Sequence, residues 1–304
     1  MPLITSNDQR VATSDLLPPE LLARLERMEL VSRKIFRGRL KGERRSRRKG
    51  QSVEFMDYRD YVPGDDLRFL DWNLYARLER LFIKLFLEEE ELHFYALIDS
   101  SASMGFGTPT KLRVSQQIAA ALGFIGLCHA DRVKLHTLTG PASVNPPVLR
   151  GRASVWRMME YLEAIEPFGG TSLAESVRRF CLRNTGKGIV ILLSDLLDKS
   201  GYEAALRMLL AQQYDIYVIH IFCREELQPE LAGDLKLVDS EDQDVAEVTI
   251  SHPLLQRYRR TVAKFIQEAK EFCTRRGIAY LMTDNQQAVE RLVSQYLRER
   301  GLVR

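Results

Sequence analysis

The chain has 304 residues, of which 45% are hydrophobic and 28% are charged, an ordinary composition for a globular protein. Its formal net charge of +3 argues against a protein that is basic overall. The four cysteines include no Cys-x-x-Cys pair, which favours reduced core thiols over a disulfide framework or a zinc site. The N-terminus lacks a signal-peptide pattern, and no apolar run approaches the roughly 20 residues that cross a bilayer. We therefore expect a cytoplasmic protein without a membrane span.

Residues 1–92 are predicted to form an N-terminal extension. Apolar residues at helical spacing predict an amphipathic helix over residues 16–35, with prolines near its start. Residues 37–49, the basic arm, contain eight Lys or Arg and one acidic residue, and no hydrophobic face runs through them. Residues 81–87 and 93–98 have strand patterns, and their short separation favours an antiparallel pair.

From residue 93 to residue 304, predicted strands and helices alternate. Helices are expected at 112–129, 155–165, 173–184, 202–213, 254–276 and 287–300, strands at 93–98, 132–138, 188–193, 215–222 and 278–283, a short extended piece near 143–149 and a hairpin over 234–250. The inner strands are continuously apolar, as a parallel sheet covered on both faces requires. The sequence therefore predicts an α/β fold with a doubly wound, mostly parallel sheet.

Polar segments occur where predicted strands end or helices begin. Asp99, Ser101 and Ser103 follow one strand, Thr171 lies in a glycine-rich loop before a helix, and Asp195 follows a later strand. Ligands of an open parallel sheet bind beyond the carboxyl ends of its strands, so these segments are expected to meet at one edge. Their oxygen atoms suit Mg²⁺ first, with Mn²⁺ or Ca²⁺ as alternatives, and do not suit zinc. Each segment taken alone also fits a helix cap.

The order Asp-x-Ser-x-Ser, then Thr, then Asp resembles the metal-ion-dependent adhesion site of von Willebrand factor A domains. The resemblance implies that Ser101 and Ser103 ligate the metal directly, that Thr171 does so directly or through water, and that Asp99 and Asp195 act mostly through water. It also implies that the sixth coordination position is left for an Asp or Glu of a partner. A cation held mainly by neutral hydroxyls would keep much of its charge and favour such a carboxylate.

A second segment, residues 53–77, resembles one particular family. The runs Val53-Glu54-Phe55, Tyr58-Arg59-Asp60-Tyr61, Pro63-Gly64-Asp65-Asp66, Arg68, Asp71-Trp72 and Ala76-Arg77 strongly resemble the signature of the domain-of-unknown-function 58 family. These bacterial von Willebrand factor A-like proteins are commonly linked to MoxR-type AAA+ ATPases. The resemblance therefore implies such an ATPase, or its client, as the partner, with this chain as an adaptor in a chaperone-like or assembly system.

The residues of this signature also carry their own expectations. Phe55, Leu70 and Trp72 are expected in the core. The alternating basic and acidic residues are expected to form a buried polar network or a partner-docking face, and the candidates for docking are Arg59, Asp65, Asp66, Arg68 and Arg77.

Two other functions stay open from the residues alone. A metal-dependent hydrolase or phosphatase fits such a sheet, but an aspartyl phosphatase needs a second carboxylate where this chain has Ser101. The basic arm offers charges for nucleic acid or another anionic surface, but it lacks interleaved aromatic residues for stacking. We therefore expect a non-catalytic module that binds a protein partner, and no role in nucleic-acid binding.

Overall fold

The computed structural model describes residues 16–32, 54–87, 92–139, 147–170, 172–184, 188–231, 233–240 and 244–304. These residues fall into two units, a larger one within 1–38 and 92–304 and a smaller one within 39–91. The basic arm predicted at residues 37–49 and the predicted metal ligand Thr171 lie outside the described residues. Within the described ranges, no helix is both long and apolar enough to cross a bilayer.

A six-stranded sheet forms the centre of the larger unit. The strands of the chain are β1 (Glu54–Asp60), β2 (Phe82–Leu87), β3 (His93–Ile98), β4 (Arg132–Thr137), β5 (Val148–Arg150), β6 (Gly188–Ser194), β7 (Asp215–Phe222), β8 (Gly233–Val238), β9 (Val245–Ile250) and β10 (Ala279–Asp284). The sheet order is β10-β7-β6-β3-β4-β5, and only β5 at the edge runs antiparallel to its neighbour. The chain starts in the middle and winds outward in both directions, so the predicted doubly wound α/β fold is confirmed.

Helices cover both faces of this sheet. The α-helices are α1 (Pro19–Leu25), α2 (Trp72–Leu78), α3 (Lys111–Cys128), α4 (Val155–Glu163), α5 (Leu173–Arg183), α6 (Glu203–Ala211), α7 (Arg224–Leu227), α8 (His252–Arg275) and α9 (Val289–Arg291), the last of which continues as a π-helix over Leu292–Leu297. The long predicted helices are confirmed to within a few residues, and β8 and β9 form the predicted antiparallel hairpin.

Successive side chains of the inner strands enter two different cores. Ala96 and Ile98 of β3 pack in the cluster that contains α3, whereas Tyr95 and Leu97 pack with residues of α5 and α6. Strand β6 is buried along its whole length. Because both faces of the sheet are dry, residues 94–98 of β3 and 189–193 of β6 must be suited to burial on both sides, which explains their unbroken hydrophobic pattern.

The N-terminal helix is shorter than predicted. Helix α1 ends at Leu25, and Leu30 instead forms an isolated antiparallel bridge with Val303. The Val31 amide donates to the Leu302 carbonyl at 2.8 Å. Backbone groups that would form hydrogen bonds within a longer helix are thus bonded to residues near the C-terminus instead. The prediction of a helix over residues 16–35 is therefore wrong beyond α1, as far as the chain is described there.

The smaller unit is built on a strand pair that was not predicted. Strands β1 and β2 pair antiparallel, with α2 between them in the chain. The predicted pair of residues 81–87 with 93–98 is wrong, because both edges of β3 are occupied by parallel neighbours, β4 and β6.

One of the core predictions for this unit also fails. Leu70 is buried as predicted, but Trp72 is 63% exposed and contacts Tyr75 edge-on at 6.2 Å between ring centroids. Trp72 is the first residue of a seven-residue helix that buries none of its residues, so its apolar side chains stay at the surface. The side chain of Phe55 lies outside the described part of the structure.

Candidate functional site

Asp99 lies directly after β3, where the chain leaves the sheet. Its amide donates to the carbonyl of Leu193 on the neighbouring strand β6 at 2.9 Å. One carboxylate oxygen accepts from the Ser101 amide at 3.0 Å, and the other accepts from the Ser194 hydroxyl at 2.6 Å. The side chain is buried and held through both of its oxygens, so its orientation is fixed by the protein itself.

The two predicted serine ligands form a hydrogen-bonded chain with the second aspartate. The Oγ atoms of Ser101 and Ser103 are 3.0 Å apart, and Ser103 Oγ donates to Asp195 Oδ2 at 2.8 Å. Because the Ser103 proton is used on the carboxylate, the Ser101 hydroxyl donates to Ser103. The structure thus brings Asp99, Ser101, Ser103 and Asp195 into one cluster at the carboxyl edge of the sheet.

The glycine-rich loop before α5 is held against this cluster by its backbone. The Ala102 amide donates to the Gly169 carbonyl at 2.8 Å, and the Phe168 amide donates to the Ser100 carbonyl at 2.8 Å. Ser172 is the N-cap of α5, which agrees with the capping interpretation for that residue. Thr171, between these two anchored positions, is not among the described residues.

Lys111 is a part of the cluster that the sequence analysis missed. It is fully buried, and its Nζ donates to Asp195 Oδ2 at 2.7 Å and to Glu226 Oε1 at 2.5 Å. Burial by itself lowers the pKa of Lys111, but the negative charges of Asp195 and Glu226 outweigh it and the pKa is raised. The available signal was a lysine at the first position of a helix, α3, whose residues from Ile118 onward are all apolar.

Two further residues, Cys223 and His220, form hydrogen bonds with Glu226 and Asp195. The second carboxylate oxygen of Glu226 accepts from the Cys223 amide at 2.7 Å. His220 is buried, and its Nε2 lies 2.8 Å from the Asp195 carbonyl oxygen, which can only accept, so Nε2 carries the proton. Its Nδ1 then accepts from the Tyr280 hydroxyl at 2.7 Å. Burial lowers the pKa of His220 to about 4, so the ring is neutral near pH 7.

The chemistry of this cluster fits a hard divalent cation. The pKa of Asp99 is raised, first by burial and then by the negative charge of Asp195, because two carboxylates repel each other in a dry environment. The described residues contain no group of three or more His, Cys, Asp and Glu placed to hold a metal, so serine hydroxyls would have to complete the ligand set. Hydroxyl and carboxylate oxygens are donors that Mg²⁺ and Mn²⁺ accept and that zinc sites rarely use.

Each of the three loops at this edge also exposes an apolar side chain. Phe106 follows the serine segment, Phe168 precedes the glycine pair, and Leu197 lies two residues after Asp195, with exposed fractions of 51%, 65% and 46%. We call these three residues the apolar rim. A buried polar cluster is thus bordered by apolar groups that contact water.

The predicted docking residues lie in the smaller unit and form surface ion pairs. Arg59 contacts both carboxylate oxygens of Asp65, at 2.8 and 2.9 Å. Arg68 pairs with Asp66 at 2.5 Å, and Arg77 is exposed on α2. The expectation that these residues form a buried network is therefore wrong, and their role as a docking face stays a prediction.

The buried polar centre of the smaller unit is Asp71. It accepts from the amides of Asn73 and Leu74, at 2.8 and 3.1 Å, at the start of α2, and from the Tyr58 hydroxyl at 3.0 Å. The Leu74 amide and the other donors lower the pKa of Asp71 to about 2. Asp71 therefore joins the strand β1 to the helix as a permanently charged cap.

Curated relatives of this chain come from mycobacteria. The uncharacterized protein Rv1480 of Mycobacterium tuberculosis is 26% identical over 254 residues, which cover 82% of this chain and 80% of the relative. The uncharacterized protein Mb1516 of Mycobacterium bovis matches with the same identity and coverage.

Solved structures are similar at lower levels. The conserved hypothetical protein BatB from Bacteroides thetaiotaomicron shares 14% identity and a TM-score of 0.41, over 68% of this chain and 98% of that one. The manganese-loaded TRAP protein of Plasmodium vivax shares 21% identity and a TM-score of 0.30, over 43% of this chain and 57% of that one. Residues 57–271, more than half of the chain, match the family described as "Protein of unknown function DUF58", and the chain belongs to that family.

Proposed function

We propose that this protein is a non-catalytic binding module that holds an acidic side chain of a protein partner through a divalent cation, with Mg²⁺ as the expected ion. The observation that carries the proposal is the hydrogen-bonded chain from Ser101 through Ser103 to Asp195, beside the pinned carboxylate of Asp99. Ser101, Ser103 and, by its place in the pattern, Thr171 would hold the cation. When bound, the cation would supply the positive charge to which a carboxylate attaches.

The existing hydrogen bonds of the aspartates support this division of roles. Asp99 accepts from Ser101 and Ser194, and Asp195 accepts from Leu197, Ser103 and Lys111, so each carboxylate oxygen already has a protein donor. The aspartates are therefore suited to orient hydroxyls and waters, while the serine oxygens keep lone pairs for a metal. Such a ligand set leaves the cation under-neutralised, which favours an incoming anionic ligand.

The apolar rim favours a protein partner over a small anion. Phe106, Phe168 and Leu197 expose aromatic and aliphatic surface next to the polar cluster. Apolar side chains around a central polar contact are typical of protein interfaces, where they exclude water from that contact. The family resemblance of the sequence is the ground for naming a MoxR-type AAA+ ATPase, or its client, as the partner.

Direct binding to a purified MoxR-type ATPase tests the proposal. The chain is immobilised, and binding is measured in Mg²⁺ and after EDTA, for the wild type and for a variant with both Ser101→Ala and Ser103→Ala. We expect capture in Mg²⁺ by the wild type and a loss of more than about tenfold in affinity after chelation or in the double variant. Ser154→Ala is the matched control, because its hydroxyl bonds only locally, to Arg150.

The serine variant is needed because EDTA also removes Mg²⁺ from the nucleotide site of an ATPase. Its loss of binding in the presence of Mg²⁺ assigns the effect to this chain. Capture that survives both chelation and the double substitution would contradict a metal-mediated contact. Binding of Mg²⁺ by this chain without capture of the ATPase would contradict the choice of partner only.

A further inference from the structure

Lys111 shares a carboxylate oxygen with a predicted metal-binding serine. Asp195 Oδ2 accepts both from Ser103 Oγ, at 2.8 Å, and from Lys111 Nζ, at 2.7 Å. The lysine side chain is completely buried, and the Asp195 side chain is almost so. The ammonium therefore acts on the cluster through direct contact and with little screening by solvent.

The needs of folding do not explain a lysine at this position. Lys111 is the first residue of α3, where the positive end of the helix dipole disfavours a cation. A buried ion pair is commonly no more stable than well-packed apolar residues of similar volume. Apolar residues in place of the whole group of Lys111, Asp195 and Glu226 would suit the core equally well, so these charges call for an explanation.

The formal charges around the cluster provide an explanation for the buried lysine. Asp99, Asp195 and Glu226 are three carboxylates, and the ammonium of Lys111 contacts two of them. Their formal charges leave a net charge of minus two near the site, which attracts a divalent cation while its direct ligands, the serine hydroxyls, stay neutral. Without the lysine, three negative charges would face the cation, and without Glu226 only one would.

We propose that Lys111 and Glu226 set the charge of the metal site and position Asp195, so that the cation binds reversibly and without excess negative charge around it. Lys111 opposes cation binding by repulsion, and Glu226 reduces that repulsion by pairing with the ammonium. The inference rests on the proposed function, because it assumes a cation at Ser101 and Ser103. It adds two residues, from α3 and α7, that the metal-site pattern of the sequence does not include.

The sign of two substitutions separates this role from a merely structural one. Lys111→Met removes the positive charge, and we expect the cation to bind about tenfold more tightly. Glu226→Gln keeps an acceptor for the ammonium but removes a negative charge, and we expect binding about tenfold weaker. If the pair only held Asp195 in place, both substitutions would weaken binding.

Isothermal titration of the full chain with Mn²⁺ alone, repeated with Mg²⁺, measures these effects. The double variant Lys111→Met with Glu226→Gln restores the wild-type charge and lacks the buried ion pair, so its affinity should return to within about threefold of the wild type. Lys134→Met is the matched control, because that lysine lies on β4 and bonds to Asn184, away from the cluster. Circular dichroism confirms that each variant is folded.

The outcomes discriminate between the inference and the proposed function. If Lys111→Met alone does not fold, Glu226→Gln and the double variant still decide the question. A wild type that binds neither ion would overturn the proposed function and this inference with it. A wild type that binds the cation, with affinities that fall in every variant or change in none, would overturn the charge-setting role alone.

Discussion

The edge of the large sheet and the smaller unit both bring acidic and basic residues into contact, but in opposite environments. At the edge, Lys111 and Asp195 are excluded from water. In the smaller unit, Arg68 and Asp66 are an ion pair whose side chains are 79% and 36% exposed. A buried charge is stable only while its partner is present, whereas an exposed charge is solvated in either case.

This difference indicates that the charged side chains at the sheet edge have a fixed geometry, whereas those of the smaller unit do not depend on one. The surface pairs of the smaller unit can be made and broken at little cost in stability. In the cluster of Asp99, Asp195, Lys111 and Glu226, each buried charge is held by an ion pair or by hydrogen bonds, and the cluster lies beside loops that expose the apolar rim. The sheet edge is therefore the functional site that we propose.

Asp195→Ala is expected to have the largest effect. It leaves the Lys111 ammonium buried with Glu226 as its one remaining carboxylate partner, and it removes the acceptor of Ser103. Breaking a buried pair in this way typically lowers the free energy of unfolding by about 3 to 5 kcal/mol. Urea denaturation measures the loss, with Asp65→Ala as the comparison from the smaller unit. Equal losses for the two variants would remove the distinction between the regions.

Mg²⁺ is expected to stabilise the wild type by a smaller amount. A ligand that binds the folded state alone raises the free energy of unfolding by about 2.7 kcal/mol when it is present at 100 times its dissociation constant. Thermal unfolding with increasing Mg²⁺ measures this effect after treatment with EDTA. The variant with Ser101→Ala and Ser103→Ala should melt at the same temperature with and without the ion. A shift that persists in this variant would place the cation elsewhere.

The sequence predicts the sheet and half of the charged cluster for the same reason. Strands β3 and β6 are unbroken apolar runs, and parallel strands end at one edge, so Asp99, Ser103 and Asp195 had to meet there. Lys111 and Glu226 are 115 positions apart, and neither is part of a local pattern, so their pairing could not be predicted from the sequence.

The same limit explains the errors elsewhere in the fold. The bridge between Leu30 and Val303 joins the two ends of the described chain, and it overrides a helical pattern that continues past α1. The strand β1 was missed because its partner β2 lies beyond a turn, a short 3₁₀-helix and α2. In each case a contact between distant residues overrides local periodicity.

Acidification is expected to weaken the larger unit through its buried histidines. Burial lowers the pKa of His220 to about 4 from an ordinary value near 6.5, so the unfolded state binds the proton more tightly. Stability is therefore fully present above pH 6.5 and is lost as the pH falls towards 4, by about 2 kcal/mol between pH 7 and pH 5. His136 has a similarly lowered pKa and titrates in the same range.

The variant His220→Gln isolates the contribution of one ring. An amide can still donate to the Asp195 carbonyl but does not titrate. Its free energy of unfolding, measured by urea denaturation at pH 7 and pH 5, should therefore depend less on pH than that of the wild type. An unchanged pH dependence would show that acid acts on other groups.

The smallest effect is expected for Arg59→Ala, and it completes the comparison. Arg59 holds Asp65 through two contacts, but the pair lies at the surface, with side chains 42% and 18% exposed, and Asp65 keeps the Val62 amide as a donor. The free energy of unfolding should therefore fall by less than about 1 kcal/mol, close to the effect of Arg80→Ala, which breaks an exposed pair with Asp60. A larger loss would show that this surface pair supports the fold. If Arg59→Ala leaves stability intact but weakens capture of the ATPase while Arg80→Ala does not, the smaller unit contributes a second contact to the partner.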